Sequence, residues 1–308
     1  MITELLCLCL TSVSSPAYAG QQNKQNVDVG YALTYFNKNE WKVRIAQKGM
    51  LKEYDLPSKC KMVFNQRSSE LYMLNSGGTL TSLNISGSVR KTISLRLESK
   101  PVGYLSAYDL AWMEKDARLL LFDYAKWAAY SIDLSSGKLT PFLNTKKIQS
   151  LSSHNRVNSD IPYWTGFAIS QTGRFALSVS TDRPLFANGI DFDSDTIVFN
   201  ANDKKSRVIS KGAPVAWYKE THLLTSSTKS GKRVLRFTDL KGKVAWERLG
   251  ILSGAINQDD LAVVEKDELS NTVKLVVFGL PRFNFKREFD LGNVTSVSNG
   301  QFVLIGNH

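Results

Sequence analysis

Apolar and polar positions alternate along this chain in short runs from about residue 27 to the end, with the period of strands rather than of helices. The most regular element is a hairpin: an apolar run ends, five to eight polar or turn residues follow, and a second apolar run begins. It occurs as Met62-Val63-Phe64 with Leu71-Tyr72-Met73-Leu74, and as Leu110-Ala111-Trp112 with Leu119-Leu120-Leu121-Phe122. Further copies are Phe167-Ala168-Ile169 with Phe175-Ala176-Leu177, Val215-Ala216-Trp217 with Leu223-Leu224, and Ala255-Ile256 with Leu261-Ala262-Val263-Val264. A last copy joins Val297 to Phe302-Val303-Leu304-Ile305. A second hairpin sits between these copies, at 79–85 with 90–95, 128–134 with 138–143, 196–200 with 206–210, 233–240 with 243–249, and 273–278 with 286–291. Its turns carry Gly87, Gly137 and Gly242 where a positive φ is needed.

Each unit therefore holds four strands over roughly 40–50 residues, the period of propeller blades. Another copy of the second hairpin lies near the N-terminus, at 41–46 with 51–56, while the last copy of the first lies at the C-terminus. A ring whose final blade takes strands from both chain ends leaves no open sheet edge there. The sequence thus predicts an all-β chain, a β-propeller of six four-stranded blades closed by N- and C-terminal strands. The run 31–36 is one strand too many for a two-plus-two closure, so it displaces a C-terminal strand or the ring has seven blades. A helix over 105–130 is disfavoured: Lys115 and Asp116 stand where an apolar helical face after Trp112 needs hydrophobes.

One blade resembles a known family. Phe167-Ala168-Ile169-Ser170-Gln171-Thr172-Gly173-Arg174-Phe175-Ala176-Leu177, followed by Thr181-Asp182-Arg183, is similar to the repeat of TolB-like periplasmic propellers. Those repeats read as a serine, a proline-aspartate-glycine turn, a basic residue, a strand and a polar turn. Here the turn is Gln171-Thr172-Gly173, and the other copies lack that glycine. The resemblance spans about one blade in six. It implies the architecture and an envelope setting, and carries no catalytic residues.

Composition changes the picture in two ways. The chain has 308 residues, of which 43% are hydrophobic and 22% charged, which excludes a disordered or collagen-like chain. Its net charge of +11 favours anionic partners. The excess concentrates in residues 201–250, with 12 Lys and Arg against 4 Asp and Glu, read here as a solvated face. Residues 1–19 form a leader: an apolar run at 5–10 and then Ala17-Tyr18-Ala19, whose small first and third side chains suit cleavage after Ala19. The leading Met-Ile-Thr-Glu lacks the usual basic residue, so the natural start lies upstream or the signal is a poor one. Residues 20–308 then make one exported propeller domain, periplasmic or secreted. Removing the leader takes Cys7 and Cys9 with it, leaving Cys60 as a solitary small hydrophobe.

Candidate chemistry falls on two long connections, 144–161 and 181–194. Propeller topology brings both to one face, beside the first two strands of a single blade, and long loops in compact domains are disproportionately functional. They carry His154, Arg156, Asp160, Arg183 and Asn188, with Tyr163 and Trp164 following the first. Asp191, Asp193 and Asp195 alternate as in an oxygen-rich Ca²⁺ loop, although Thr196 and Asn202 replace the glycine and glutamate of an EF-hand. No cofactor other than such a Ca²⁺ ion is expected. Trp112 and Trp217 end equivalent strands, which points to packing between blades. Nucleophile elbows, His-Glu-x-x-His pairs, phosphate loops and dinucleotide fingerprints are absent from the sequence. The reading is a non-catalytic binding scaffold in the bacterial envelope, with a protein or an anionic glycan as partner. The alternative is an enzyme acting on an acidic polysaccharide or sugar through channel-facing carboxylates, and nucleic acid is not an expected partner. Adhesion to an anionic membrane surface through 201–250 is a third possibility.

Overall fold

The computed structural model describes residues 30–37, 39–47, 50–126, 128–144, 146, 163–180, 194–203, 205–229, 232–266, 272–291 and 302–305. Three strands come first: β1 (Gly30–Asn37), β2 (Glu40–Gln47) and β3 (Met50–Leu56). Blade 1 follows as β4 (Cys60–Asn65), β5 (Glu70–Asn75), β6 (Thr79–Asn84) and β7 (Val89–Ser94). Two short strands, β8 (Arg96–Leu97) and β9 (Lys100–Pro101), precede blade 2, which is β10 (Tyr108–Met113), β11 (Arg118–Asp123), β12 (Ala128–Ile132) and β13 (Lys138–Leu143). Blade 3 is β14 (Tyr163–Ile169), β15 (Arg174–Ser180), β16 (Ser194–Asn200) and β17 (Arg207–Lys211). Blade 4 is β18 (Ala213–Tyr218), β19 (His222–Lys229), β20 (Lys232–Asp239) and β21 (Val244–Leu249). Blade 5 is β22 (Ile251–Asn257), β23 (Asp260–Lys266), β24 (Val273–Gly279) and β25 (Asn284–Asp290), and the last strand is β26 (Phe302–Ile305).

Each blade is an antiparallel meander, and six of them form the ring. Blade 6 has the order β26-β1-β2-β3, with Gly30 opposite Ile305 and Leu33 opposite Phe302. Closure is therefore three N-terminal strands plus one C-terminal strand. The run 31–36 takes the place that a two-plus-two closure would give to a second C-terminal strand, and the ring has six blades, not seven. Blade 2 is wider than expected, because β8 pairs in parallel with β13 and β9 pairs with β8.

The first strands stand side by side around the axis, β4 against β10, then β14, β18, β22 and β26, with β26 returning to β4. Among the described residues one apolar cluster lies between every two neighbouring blades. This explains why inner strands read as unbroken apolar runs: each sheet buries both faces. Leu119 and Leu121 pack towards blade 1, while Leu120 and Phe122 pack towards blade 3, and all four are fully buried. Residues 105–130 accordingly contribute strands. Outer strands face water on the rim, as in β7, where only Ile93 is not exposed.

Candidate functional site

We call the end of the ring where the first strands begin the upper end. The turns joining first to second strands lie at the lower end. An axial channel of about 770 Å³ runs along the first strands. Its throat is apolar, with Met62, Leu110, Phe167, Ala216, Ile256 and Val303 contributing from the six blades in turn. Charge gathers at its ends, and the two ends differ.

Among the described residues the upper mouth carries three cations, Lys59, Lys61 and Arg233, against one carboxylate, Asp109. Lys59 and Lys61 bracket Cys60, where β4 begins, so the strand's period of two puts them on the same side of the sheet. Arg233 comes from blade 4, diametrically across the ring, near the start of β20, and is fixed by donating to the Leu252 carbonyl. Asp109 is fully engaged: one oxygen meets the Lys61 ammonium and the other accepts from the Tyr124 hydroxyl. Burial beside that carboxylate pushes the Tyr124 phenol far above its ordinary range. Lys59 forms no ion pair among the described residues. Its ammonium is held below the usual lysine value, first by partial desolvation and then by the positive charge of Lys61, with Asp109 opposing the shift and Arg233 adding to it. Tyr104, 79% exposed, stands in the connection that enters blade 2 at this end.

The lower mouth is a closed polar belt of hairpin turns. Arg67 pairs with Glu114 at 2.8 Å, and the Lys115 amide donates to the Gln171 carbonyl at 3.1 Å. Glu220 accepts from the Thr172 amide and hydroxyl at 3.0 and 2.8 Å. Asp259 accepts from the Tyr218 hydroxyl at 2.9 Å and pairs with Lys219 at 2.6 Å. The Gln66 amide then donates to Asn257, linking blade 1 to blade 5 past blade 6, whose first two strands come from opposite chain ends and share no hairpin turn. Among the described residues the channel carboxylates Asp109, Glu114, Glu220 and Asp259 each hold a partner in this arrangement.

Comparison with solved structures fits this architecture. The fold resembles that of TolB. TolB from Acinetobacter baumannii superposes with a TM-score of 0.58 at 9% identity, over 90% of this chain and 67% of that one. Apo AztD from Citrobacter koseri gives 0.47 at 12% identity over 91% and 99%. The Cps50 (Swd1) β-propeller domain from Myceliophteria thermophila gives 0.45 at 14% over 76% and 72%. No protein-family model and no curated protein matches the sequence. The TolB-like repeat seen in blade 3 sits where expected, its Gly173 forming the first hairpin turn at φ 87°.

The loop-borne candidates divide. His154, Arg156, Asp160, Arg183, Asn188, Asp191 and Asp193 lie outside the described residues. Tyr163 and Trp164 begin β14, with Tyr163 opposite Ser180 and Ser180 opposite Ser194. The strand ends that bound the two long connections are thus adjacent at the upper end of blade 3. Asp195 stands in β16, paired with Lys211 on β17 at 2.9 Å. Among the described residues no group of three His, Cys, Asp or Glu could hold a metal ion.

Packing between blades accounts for the tryptophans. Trp112 stacks on Tyr72 of blade 1 with centroids 5.9 Å apart, and Trp217 donates its indole N–H to the Ala168 carbonyl of blade 3 at 3.4 Å. The basic segment 201–250 is partly neutralised, since Lys211, Lys219, Lys229, Arg236 and Arg248 all form ion pairs. Sequence reasoning missed Lys59, Lys61 and Arg233. The available signal was the pair of lysines at i and i+2 opening an otherwise apolar strand; Arg233 fell within the basic segment 201–250, where nothing set it apart from its neighbours.

Proposed function

We propose that this protein is a non-catalytic, exported scaffold of the bacterial envelope whose upper face captures an anionic partner, an acidic protein segment or an acidic glycan. The observation that carries the reading is the upper mouth: among the described residues, three cations around one already neutralised carboxylate, above an apolar throat. Such a mouth attracts negative charge, and its low-dielectric walls strengthen that attraction. Lys59 in particular forms no ion pair among the described residues, and Asp109, which acts on it favourably, is already paired with Lys61. Tyr104 adds an exposed aromatic surface of the kind enriched in recognition sites. The upper end is also where the connections bearing His154, Arg156, Asp160, Arg183 and Asn188 leave and re-enter the ring. Export rests on the leader 1–19, and among the described residues no helix is long and apolar enough to cross a membrane.

The test is affinity capture from the native envelope with wild-type protein and a Lys59→Glu/Arg233→Glu double variant, read by mass spectrometry alongside retention on polygalacturonate. The variant should lose the captured partner or the retention while melting at the wild-type temperature. An unchanged set of partners and unchanged retention would overturn the proposal. Joint replacement of Arg156, Arg183 and Asp191 should weaken capture in the same way. N-terminal sequencing of the exported protein should begin at Gly20.

A further inference from the structure

The outer half of the junction between blades 6 and 1 is not filled as the junctions between blades 1 and 2 and between blades 2 and 3 are. Third-strand side chains turned to the preceding blade are Tyr130 and Ile132 in blade 2, and Ile197 and Phe199 in blade 3, all buried. Blade 1 places Leu83 in this position low on β6, but Thr81 and Thr79 above it. The register sets Met73 opposite Thr81 and Thr81 opposite Thr92, so the hydroxyl-bearing surface continues to the outer strand. A cleft of about 480 Å³ opens there, a size within the range of small-molecule sites.

The facing wall is β3, which presents Lys52, Tyr54 and Leu56. Tyr54 lies against the turn at Gly87, where any Cβ would sit 2.2 Å from its hydroxyl oxygen, so a glycine at φ 79° makes room for the ring. Charge in the cleft is already committed. The Lys52 ammonium donates to the Ser86 carbonyl at 2.7 Å, and Asp55 pairs with Lys42 at 2.6 Å. The hydroxyls of Thr79, Thr81, Thr92 and Tyr54, in contrast, have no hydrogen-bond partner among the described residues. Below them, Met73 and Cys60 form an apolar floor.

We propose that this cleft binds a neutral sugar unit. Hydroxyls that both donate and accept match a ligand rich in hydroxyls. The Tyr54 ring and the Met73 thioether offer apolar surface to its C–H face. This assignment stands independently of the anionic partner at the channel mouth.

Met73 supplies the probe. The full chain, labelled with ¹³C at its methionine methyls, is titrated with maltose, with N-acetylglucosamine and, as anionic counterpart, with glucuronate. The Met73 signal, assigned through Met73→Leu, should shift saturably with a neutral sugar, while Met113, in the junction between blades 2 and 3, stays still. Thr81→Val/Thr92→Val should weaken binding about three- to tenfold per hydroxyl lost. Thr81→Tyr, which copies the filling seen at Tyr130, should abolish binding without lowering the melting temperature. Absence of a Met73 shift with both neutral sugars, a response to glucuronate alone, or full binding by the Thr81→Tyr variant would overturn the proposal.

Discussion

Ala117 occupies the left-handed region at φ 49°, immediately before the second strand of blade 2. Ser69 in blade 1 does the same at 53°, and Gly173 in blade 3 at 87°. A side chain in that region costs about 1–2 kcal/mol, and a glycine would remove most of that cost while adding some freedom to the unfolded chain. Ala117→Gly should therefore stabilise the protein by about 0.5–1 kcal/mol in urea denaturation, and an unchanged or lower midpoint would contradict this. The same residues show why the TolB-like turn was legible in one blade alone: the backbone repeats its conformation, but only Gly173 advertises it. Cys60 illustrates the opposite case, a residue read correctly from its surroundings. It is buried in one cluster with Met62 and Met73, with 3% of its surface exposed at the cleft floor, and burial pushes its thiol up to about 12. Native protein at pH 8 should thus resist alkylation by iodoacetamide, and rapid modification before unfolding would show that the thiol is accessible.

A clamp ties blade 6 to blade 5. The Arg44 guanidinium donates to the Leu291 carbonyl at 2.6 Å, tying β2 to the end of blade 5, and pairs with Glu53 on β3 at 2.6 Å. Glu53 also accepts from the Tyr35 hydroxyl at 2.6 Å, and the Arg44 guanidinium lies over the Tyr35 ring. Burial raises the Glu53 carboxyl, yet the Tyr35 hydroxyl and Arg44 together hold it below its ordinary 4.5. The unfolded chain therefore takes up a proton at a higher pH than the folded ring does. The contribution of Glu53 is complete above 4.5 and disappears as pH falls through the lowered folded value. Glu53→Gln should lower the melting temperature at neutral pH and flatten its decline below 4.5. Parallel curves for variant and wild type would remove the clamp from the acid response. Most strands of the ring were legible because both faces of each inner strand are apolar. The closure was less so: the run 31–36 looked like a surplus strand until pairing with β26 gave it a place. The flap β8–β9 left no trace, since Arg96-Leu97 and Lys100-Pro101 are too short and too exposed to carry an alternation.

Across the whole molecule the channel carries its charge at the two ends of an apolar throat, with a surplus of cations above among the described residues and carboxylates held by partners below. That asymmetry arises only when six blades converge, because Lys59 and Lys61 come from blade 1 and Arg233 from blade 4. Net charge along the chain pointed to residues 201–250 as a whole, a segment that includes Arg233 but in which five other basic side chains are spent on neighbouring carboxylates. The two sources of positive charge make different predictions for an acidic polymer such as polygalacturonate. If the upper mouth does the capturing, Lys59→Glu and Arg233→Glu should each weaken binding several-fold, and the effects should be coupled because the two charges sense one another across the opening. Lys241→Glu/Lys243→Glu, in the lower turn of blade 4, should leave binding nearly unchanged. Raising salt from low ionic strength should weaken wild-type binding steeply, since exposed charges are screened beyond about 8 Å at physiological salt. The Lys59→Glu/Arg233→Glu variant should show a shallower dependence than wild type. If instead the rim variant loses binding and the mouth variant keeps both its affinity and its salt slope, the rim of blade 4 is the anion-binding surface and the channel mouth is not.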